Sequence, residues 1–391
     1  MNDALARYRV LGAGILSIIL SLGIARFAYT PMLPLMQDQA GLGVAGGGWL
    51  AAINYLGYLT GAVTVSLISD PFLKDRLYRF GLVLAVLTTA MMGMADAFWL
   101  WSVSRFFAGL SSAGALLLGS GLILNWLIRH DHRGELGVHF SGVGLGIALG
   151  TLVVEWSAHS LDWSGQWWLL TGFAALLAIP AWAWLPPPEA RSTSHGGAPM
   201  VDHPPGSAFM RLFIAAYFCA GVGYVISATF IVAIVDSMPG LQGRGGLTFI
   251  LIGLAAAPAC IFWDRVARRA GDLNALIAAG VLQIFGILLP ALFPVLWVTL
   301  LGAVLFGGTF IGIVSLVLTM AGRYYPTRPA KMMGKMTISY GIAQIAAPAL
   351  TGFVAEYTGG YTVGLYLAAA VMAVGTGLLI RLKACGLDSN D

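Results

Sequence analysis

Long apolar segments follow one another along nearly the whole chain. A helix needs about 20 predominantly apolar residues to cross a bilayer, and segments of this kind recur from one terminus to the other. Only 10% of the 391 residues are charged, whereas soluble globular domains average roughly 25%. The strands of a membrane barrel would alternate apolar and polar residues, and these segments do not. We therefore expect an all-α membrane protein.

Twelve segments are long enough to serve as transmembrane helices. We predict them at about 10–36, 47–69, 79–96, 97–128, 136–158, 166–185, 209–237, 247–264, 272–292, 295–321, 332–356 and 361–381. Because the number is even, both termini are expected on the same side of the membrane.

A proline-rich polar stretch divides the predicted spans into two sets of six. Residues 186–208 carry no apolar periodicity, which is typical of a linker. The sequence thus predicts an N-terminal six-helix bundle in 1–185, a cytoplasmic linker in 186–208 and a C-terminal six-helix bundle in 209–391.

The basic residues indicate the orientation of the chain. All but three of the 21 Lys and Arg residues fall on the side of the termini; the exceptions are Arg244, on the opposite side, and Arg26 and Arg105, within spans. By the positive-inside rule the termini and the linker are cytoplasmic. Since the basic residues are dispersed along loops instead of forming one patch, we expect no nucleic-acid partner.

Three pairs of segments repeat in the same order in the two halves. Gly23–Leu33 aligns with Gly221–Ile231, Asp75–Gly81 aligns with Asp264–Gly271, and ALGTLVVEW aligns with ALTGFVAEY. This order predicts two pseudo-symmetric bundles built as parallel repeats. In such proteins the substrate site lies near the midplane, between the repeats.

Several motifs occur along the chain. They are the basic loops DRLYR and DRVARR, RFFAGLSSAG in span four, GVGLGIALG in span five, and the segments RFAYTPMLP, NYLGYLTGA and AQIAAPALTG. Together they resemble those of the major facilitator superfamily, and within it the bacterial YbfB/YjiJ-type transporters. The first basic loop departs from the usual superfamily spacing. The resemblance implies the major facilitator fold, alternating access in the bacterial cytoplasmic (inner) membrane, and a central cavity lined by spans one, four, seven and ten.

Two arginines are the strongest candidates for substrate binding. Arg26 and Arg105 lie at similar predicted depths, in spans that the resemblance places around the cavity. A charge at the centre of a membrane helix costs about 2.5–3.5 kcal/mol on insertion scales, so both should face protein or water. A guanidinium can bind a carboxylate or phosphate; alternatively, it can bond to helix carbonyls in a purely structural role.

Other polar residues could complete the site. Tyr29 and Thr30 follow Arg26 at i+3 and i+4, so one of them shares its helix face. Tyr224 is the counterpart of Arg26 in the second half, and Asn54 and Tyr58 are i, i+4 neighbours in span two. Gln344 is the polar residue of span eleven. For each of these residues, packing or interhelical hydrogen bonding is an alternative to substrate binding.

The two basic loops carry adjacent acid and arginine residues, Asp75 with Arg76 and Asp264 with Arg265. The resemblance implies that such pairs act as gates, by fastening one conformation on the cytoplasmic side. The alternative is that these charges only set the topology.

The function predicted from these features is secondary active transport of a small organic anion, with protons as a candidate coupling ion. Efflux of amphipathic compounds is an alternative, and a non-transporting receptor or scaffold is an alternative from another class. No nucleophile motif, metal-ligand spacing or ATP-binding loop occurs, so we predict neither an enzyme nor a cofactor nor a metal site. We expect a monomer in the lipid bilayer.

Overall fold

The computed structural model describes residues 3–68, 70–130, 136–188, 204–324 and 329–384, and this part of the chain is helical without strands. Its α-helices are Asp3–Ile18, Tyr29–Gln39, Val44–Leu67, Pro71–Met94, Phe98–Ala113, Ser120–Arg129, Leu136–Ser157, Trp163–Ala183, Ser207–Ser237, Gly245–Ala256, Ala259–Ala270, Asp272–Leu292, Leu296–Tyr324, Pro329–Thr358 and Thr362–Ala384. Two π-helices, Ile19–Phe27 and Gly114–Gly119, join α-helices within spans one and four.

The predicted number of spans is confirmed. Within the described residues, 11 continuous helical segments are long and apolar enough to cross a membrane. A twelfth span, span eight, consists of Gly245–Ala256 and Ala259–Ala270, which meet at an angle of 45°. The predicted linker, 186–208, lies largely outside the described residues, so the boundaries of the two halves stay a prediction.

Span one is interrupted near its middle. The π-helix Ile19–Phe27 ends in a turn where the Ala28 N–H donates to the Gly23 carbonyl at 2.9 Å, and an α-helix resumes at Tyr29. Pro31 follows immediately and has no N–H to donate to the preceding turn. The interruption places Arg26 in the last turn of the π-helix.

Small residues let span one approach span five closely. A Cβ atom added to Gly23 would lie 2.4 Å from the Gly146 Cα atom, which is too close for any larger side chain. Gly146 belongs to the glycine-rich segment of span five, where small residues allow helix backbones to pack together. This contact packs span one tightly against span five, three residues before Arg26.

The two halves close on each other on the side opposite the termini. The Thr30 hydroxyl of span one donates to the Ala228 carbonyl of span seven at 2.7 Å. Nearer that surface, Gln37 Nε2 donates to the Tyr361 hydroxyl at 3.0 Å. Burial raises the pKa of Tyr361 and the hydrogen bond from Gln37 opposes that rise. These contacts seal the far side of the molecule.

Candidate functional site

A cavity of about 840 Å³ lies between the two halves. It begins near mid-membrane at Arg26 and reaches Lys74, His130 and Pro186–Pro188, which lie at the end of the bundle where the termini are. The volume falls within the roughly 300–1,000 Å³ of ordinary small-molecule sites. With the far side closed, the protein is in a conformation open toward the side of its termini.

Arg26 supplies the charge at the inner end of this cavity. Its guanidinium carbon lies 4.5 Å from the centre of the Tyr55 ring and 4.6 Å from the centre of the Tyr58 ring. Cation–π contacts of this kind contribute about 0.5–2 kcal/mol each. Among the described residues, the Arg26 Nε atom has no hydrogen-bond partner. The rings hold the guanidinium in place and leave hydrogen-bonding capacity unused.

No carboxylate neutralises Arg26 within the described lining of the cavity, where the other permanent charge is Lys74 at the mouth. The Arg26 guanidinium instead lies over the neutral rings of Tyr55 and Tyr58. Because a buried charge without a counter-ion is costly, the arrangement favours an anion from solution.

The C-terminal half contributes the opposite wall. Tyr224 lines the cavity, and the Tyr55 hydroxyl lies close to both the Tyr224 hydroxyl and the Arg26 guanidinium. Gln344 lines the same cavity from span eleven, and its Oε1 atom has no hydrogen-bond partner in the described part of the chain. Of the predicted substrate-binding residues, the structure thus brings Arg26, Tyr58, Tyr224 and Gln344 to one cavity.

Arg105 does not line the cavity. It is 2% exposed, and its Nη1 and Nη2 atoms donate to the carbonyls of Ala25 and Arg26 at 3.0 and 3.2 Å. In the i−5 register of this π-helix the Arg26 carbonyl would accept from residue 31, and Pro31 has no N–H to donate. In a membrane interior freed carbonyls need other partners. Arg105 therefore has the structural role that was the alternative to substrate binding, since its guanidinium bonds to helix carbonyls. It positions the turn that carries Arg26.

Tyr29 and Asn54 also face protein instead of the cavity. The Arg105 guanidinium carbon lies 4.4 Å from the centre of the Tyr29 ring, and the Tyr29 hydroxyl donates to the Gly47 carbonyl at 2.9 Å. Asn54 Nδ2 donates to the Arg105 carbonyl at 2.8 Å. Both residues brace spans one, two and four behind the site, so we leave them and Arg105 out of the proposed substrate contacts.

The charge pairs of the basic loops differ from the predicted ones. Asp75 pairs with Arg79 at 3.0 Å, and Arg79 also donates to the Trp182 and Leu185 carbonyls. The reason is helical spacing, since residues four apart share a face and adjacent residues do not.

In the second loop Asp264 likewise pairs with Arg268, four residues on, and not with the predicted neighbour Arg265. A gating role stays a prediction for Asp75 and Arg76 in the first loop and for Asp264 and Arg265 in the second.

Sequence reasoning missed Tyr55, whose ring lies beside Arg26. It also missed three rings of the C-terminal wall of the cavity, namely Tyr217, Phe310 and Tyr340. Helical spacing contained the signal. Tyr217 lies seven residues before Tyr224, and Tyr340 lies four before Gln344, so each shares a face with a residue already singled out.

Comparison with known proteins identifies the chain's relatives. The model of the family described as "Uncharacterised MFS-type transporter YbfB" matches residues 18–380. YceJ, an uncharacterised MFS-type transporter of Bacillus subtilis (strain 168), is 24% identical over 272 residues, which cover 68% of this chain and 69% of the relative. A probable sugar efflux transporter of Helicobacter pylori (strain ATCC 700392 / 26695) is 24% identical over 310 residues, covering 78% and 72%.

Solved structures share the fold at low sequence identity. The nucleoside transporter NupG superimposes with a TM-score of 0.73 at 14% identity, covering 98% of this chain and 99% of the other. The human organic anion transporter MFSD10 (TETRAN) gives a TM-score of 0.66 at 19% identity, covering 95% and 99%. These similarities confirm an all-α membrane protein with the twelve-helix major facilitator architecture.

Proposed function

Because the chain belongs to the YbfB-type family of major facilitator transporters, we propose that it moves a small organic anion by alternating access around Arg26. It is a multi-pass membrane transporter of a small-molecule substrate, and not an enzyme. The proposal goes beyond the family in one respect, namely that the substrate is an anion.

The observation that carries the proposal is the uncompensated charge of Arg26. Arg26 is 6% exposed, lines the cavity and has no carboxylate beside it among the residues described there. A guanidinium matches a carboxylate with two parallel hydrogen bonds, which are stronger than bonds between neutral groups. An anion entering the cavity would provide the missing counter-charge.

Alternating access accounts for the positions of the closing contacts. The hydroxyl of Thr30 and the amide of Gln37 link span one to the other half on the far side. For the cavity to open there, these bonds must break while the termini side closes. By the positive-inside rule we infer that the termini side is cytoplasmic, in the inner membrane of a bacterium.

Both walls of the cavity come from one chain, which supports a monomeric transporter. Protons are the candidate coupling ion. Their involvement is tested by imposing a pH gradient in the transport assay below and comparing the rate of anion uptake with and without it.

The test is transport by purified protein reconstituted into liposomes with a panel of labelled carboxylates and amphipathic drugs. We expect Arg26→Gln to reduce carboxylate affinity by about 10- to 100-fold, because a hydrogen bond to a charged group contributes about 1.5–3 kcal/mol. Arg211→Gln removes an exposed arginine outside the cavity and serves as the matched control.

Carboxylate transport that is the same in wild type and Arg26→Gln would overturn the anion proposal. Export of neutral amphipathic drugs that is insensitive to Arg26→Gln would support the alternative of drug efflux. The apolar side chains that surround the polar residues in the cavity favour that alternative as the second candidate.

A further inference from the structure

The C-terminal wall of the cavity consists of four aromatic side chains, Tyr217, Tyr224, Phe310 and Tyr340, which we call the aromatic wall. They come from spans seven, ten and eleven. Aromatic residues are common in membrane helices, but their arrangement here is specific because the rings are nearly parallel to one another.

The ring geometry defines a set of flat faces. The centre of the Tyr224 ring lies 5.2 Å from that of Phe310 and 5.9 Å from that of Tyr340, with interplanar angles of 21° and 23°. Tyr340 in turn stacks on Tyr217 at 4.5 Å and 23°. Isolated aromatic pairs also adopt edge-to-face geometry. These three stacked pairs give the four rings that line the cavity a similar orientation.

Packing behind the wall keeps these rings in place. Phe306, which is 2% exposed, lies 4° from parallel with Tyr224. At Gly221 an added Cβ atom would lie 2.9 Å from the Tyr340 carbonyl oxygen, so spans seven and eleven are in close contact one turn before Tyr224. The aromatic wall is therefore formed before any ligand enters, and little ordering is required on binding.

The charge of Arg26 lies beside this wall. The Tyr55 hydroxyl is close to both the Arg26 guanidinium and the Tyr224 hydroxyl, so the charge and the ring faces adjoin at the inner end of the cavity. Within the described lining, Arg26 is the single permanent charge at that depth. One positive charge next to parallel ring faces is complementary to one negative charge on a flat ring.

We propose that the substrate is a planar aromatic monocarboxylate, whose carboxylate binds Arg26 while its ring stacks on the aromatic wall at Tyr224 and Tyr340. This inference rests on the proposed transport of an organic anion and narrows its substrate to one chemical class. A saturated ring of the same size and charge can pair with Arg26 but cannot stack.

The experiment compares three probes on the full-length purified protein by equilibrium binding. Benzoate is planar and charged, cyclohexanecarboxylate is charged but not planar, and benzamide is planar but neutral. Aromatic pairing adds about 0.5–1.5 kcal/mol beyond area burial, so benzoate should bind about 2- to 12-fold more tightly than cyclohexanecarboxylate. Benzamide should bind about 10- to 100-fold more weakly than benzoate, since it has no negative charge to pair with Arg26.

Variants assign the preference to the wall. Tyr224→Leu should abolish the preference for benzoate over cyclohexanecarboxylate, and Tyr340→Leu provides a second, independent variant should the first fold poorly. Tyr357→Leu changes a tyrosine that is 85% exposed and outside the cavity, so the preference should persist there.

The outcomes separate this inference from the transport proposal. Equal affinities for benzoate and cyclohexanecarboxylate in wild type would overturn the proposal that the substrate is aromatic. The proposal of anion transport would be unaffected by that result. A preference for benzoate that survives both wall variants would overturn the assignment to the aromatic wall. Benzamide binding as tightly as benzoate, together with no effect of Arg26→Gln, would overturn both proposals.

Discussion

Span one and span seven occupy equivalent places in the two repeats, yet they are built differently. Span seven is one continuous α-helix, Ser207–Ser237, with Tyr224 at the level of the cavity. Span one consists of three helices, with a π-helix and Pro31 at the same level. Strict pseudo-symmetry would give spans one and seven the same helical structure at this depth. The interruption of span one instead places Arg26 opposite an aromatic side chain.

The charge of Arg26 and the interruption of span one depend on each other. A π-helical turn leaves carbonyls that an α-helix would satisfy by itself, and such turns are frequent at functional sites. Arg105 donates to the Ala25 and Arg26 carbonyls of this turn, whereas span seven is a continuous α-helix without such a turn. Each arginine thus has one task, since Arg26 faces the cavity and Arg105 holds the turn from behind.

The largest effect should come from removing the donor behind span one. We expect Arg105→Met to lower the free energy of unfolding by about 2–4 kcal/mol, because two buried carbonyls lose their charged donor. Arg26→Met should lower it by about 1 kcal/mol or less, since Arg26 contacts ring faces and the cavity. Thermal and denaturant unfolding in detergent measure both. Equal losses for the two variants would contradict the division of tasks.

A smaller effect should appear when span one is made more like span seven. Pro31→Ala restores a backbone N–H whose acceptor in the i−5 register of the π-helix is the Arg26 carbonyl, so that carbonyl depends less on Arg105. In a double-mutant cycle we expect Arg105→Met to cost about 0.5–1.5 kcal/mol less in the Pro31→Ala background. Pro34→Ala lies one turn further on and should leave the cost unchanged. Strict additivity of Pro31→Ala and Arg105→Met would show that the proline is not the reason for the donor.

The fold was accessible from sequence because apolar segment length and loop charge are local properties. The number of spans and the helical class follow from them and are confirmed. The depth of Arg26 and Arg105 could be counted along each helix, but the direction of each side chain could not. The direction of each side chain depends on the rotation of span four against span one and on the π-helical turn. Neither of these can be predicted from a residue pattern.

The partners of the charged residues illustrate the same limit. Adjacent residues in sequence suggested the pairs in the basic loops, while the helix pairs Asp75 with Arg79. The aromatic wall depends on contacts among three spans, so only the spacing of Tyr217 and Tyr224 within one span was visible beforehand. Local periodicity can identify a face of a helix but not what that face meets.

The smallest effect should come from the direct bond between the two compared spans. Thr30→Val removes the hydroxyl that donates to the Ala228 carbonyl and keeps the side-chain shape. A hydrogen bond of this kind contributes about 0.5–1.5 kcal/mol, so the far-side-open population should rise about 2- to 13-fold. Spin labels at Ser160 and Gln242, one in each half on the far side, measure that population through their distance distribution.

Two comparison variants decide whether the shift comes from the contact between the halves. Thr30→Ser keeps the donor and should retain the wild-type distribution. Thr60→Val removes a hydroxyl that bonds only within its own helix, to the Leu56 carbonyl at 2.8 Å, and should leave the distance between the halves unchanged. If Thr60→Val widened the distribution as much as Thr30→Val, loss of any threonine hydroxyl would suffice. The bond between spans one and seven would then have no particular part in holding the far side closed.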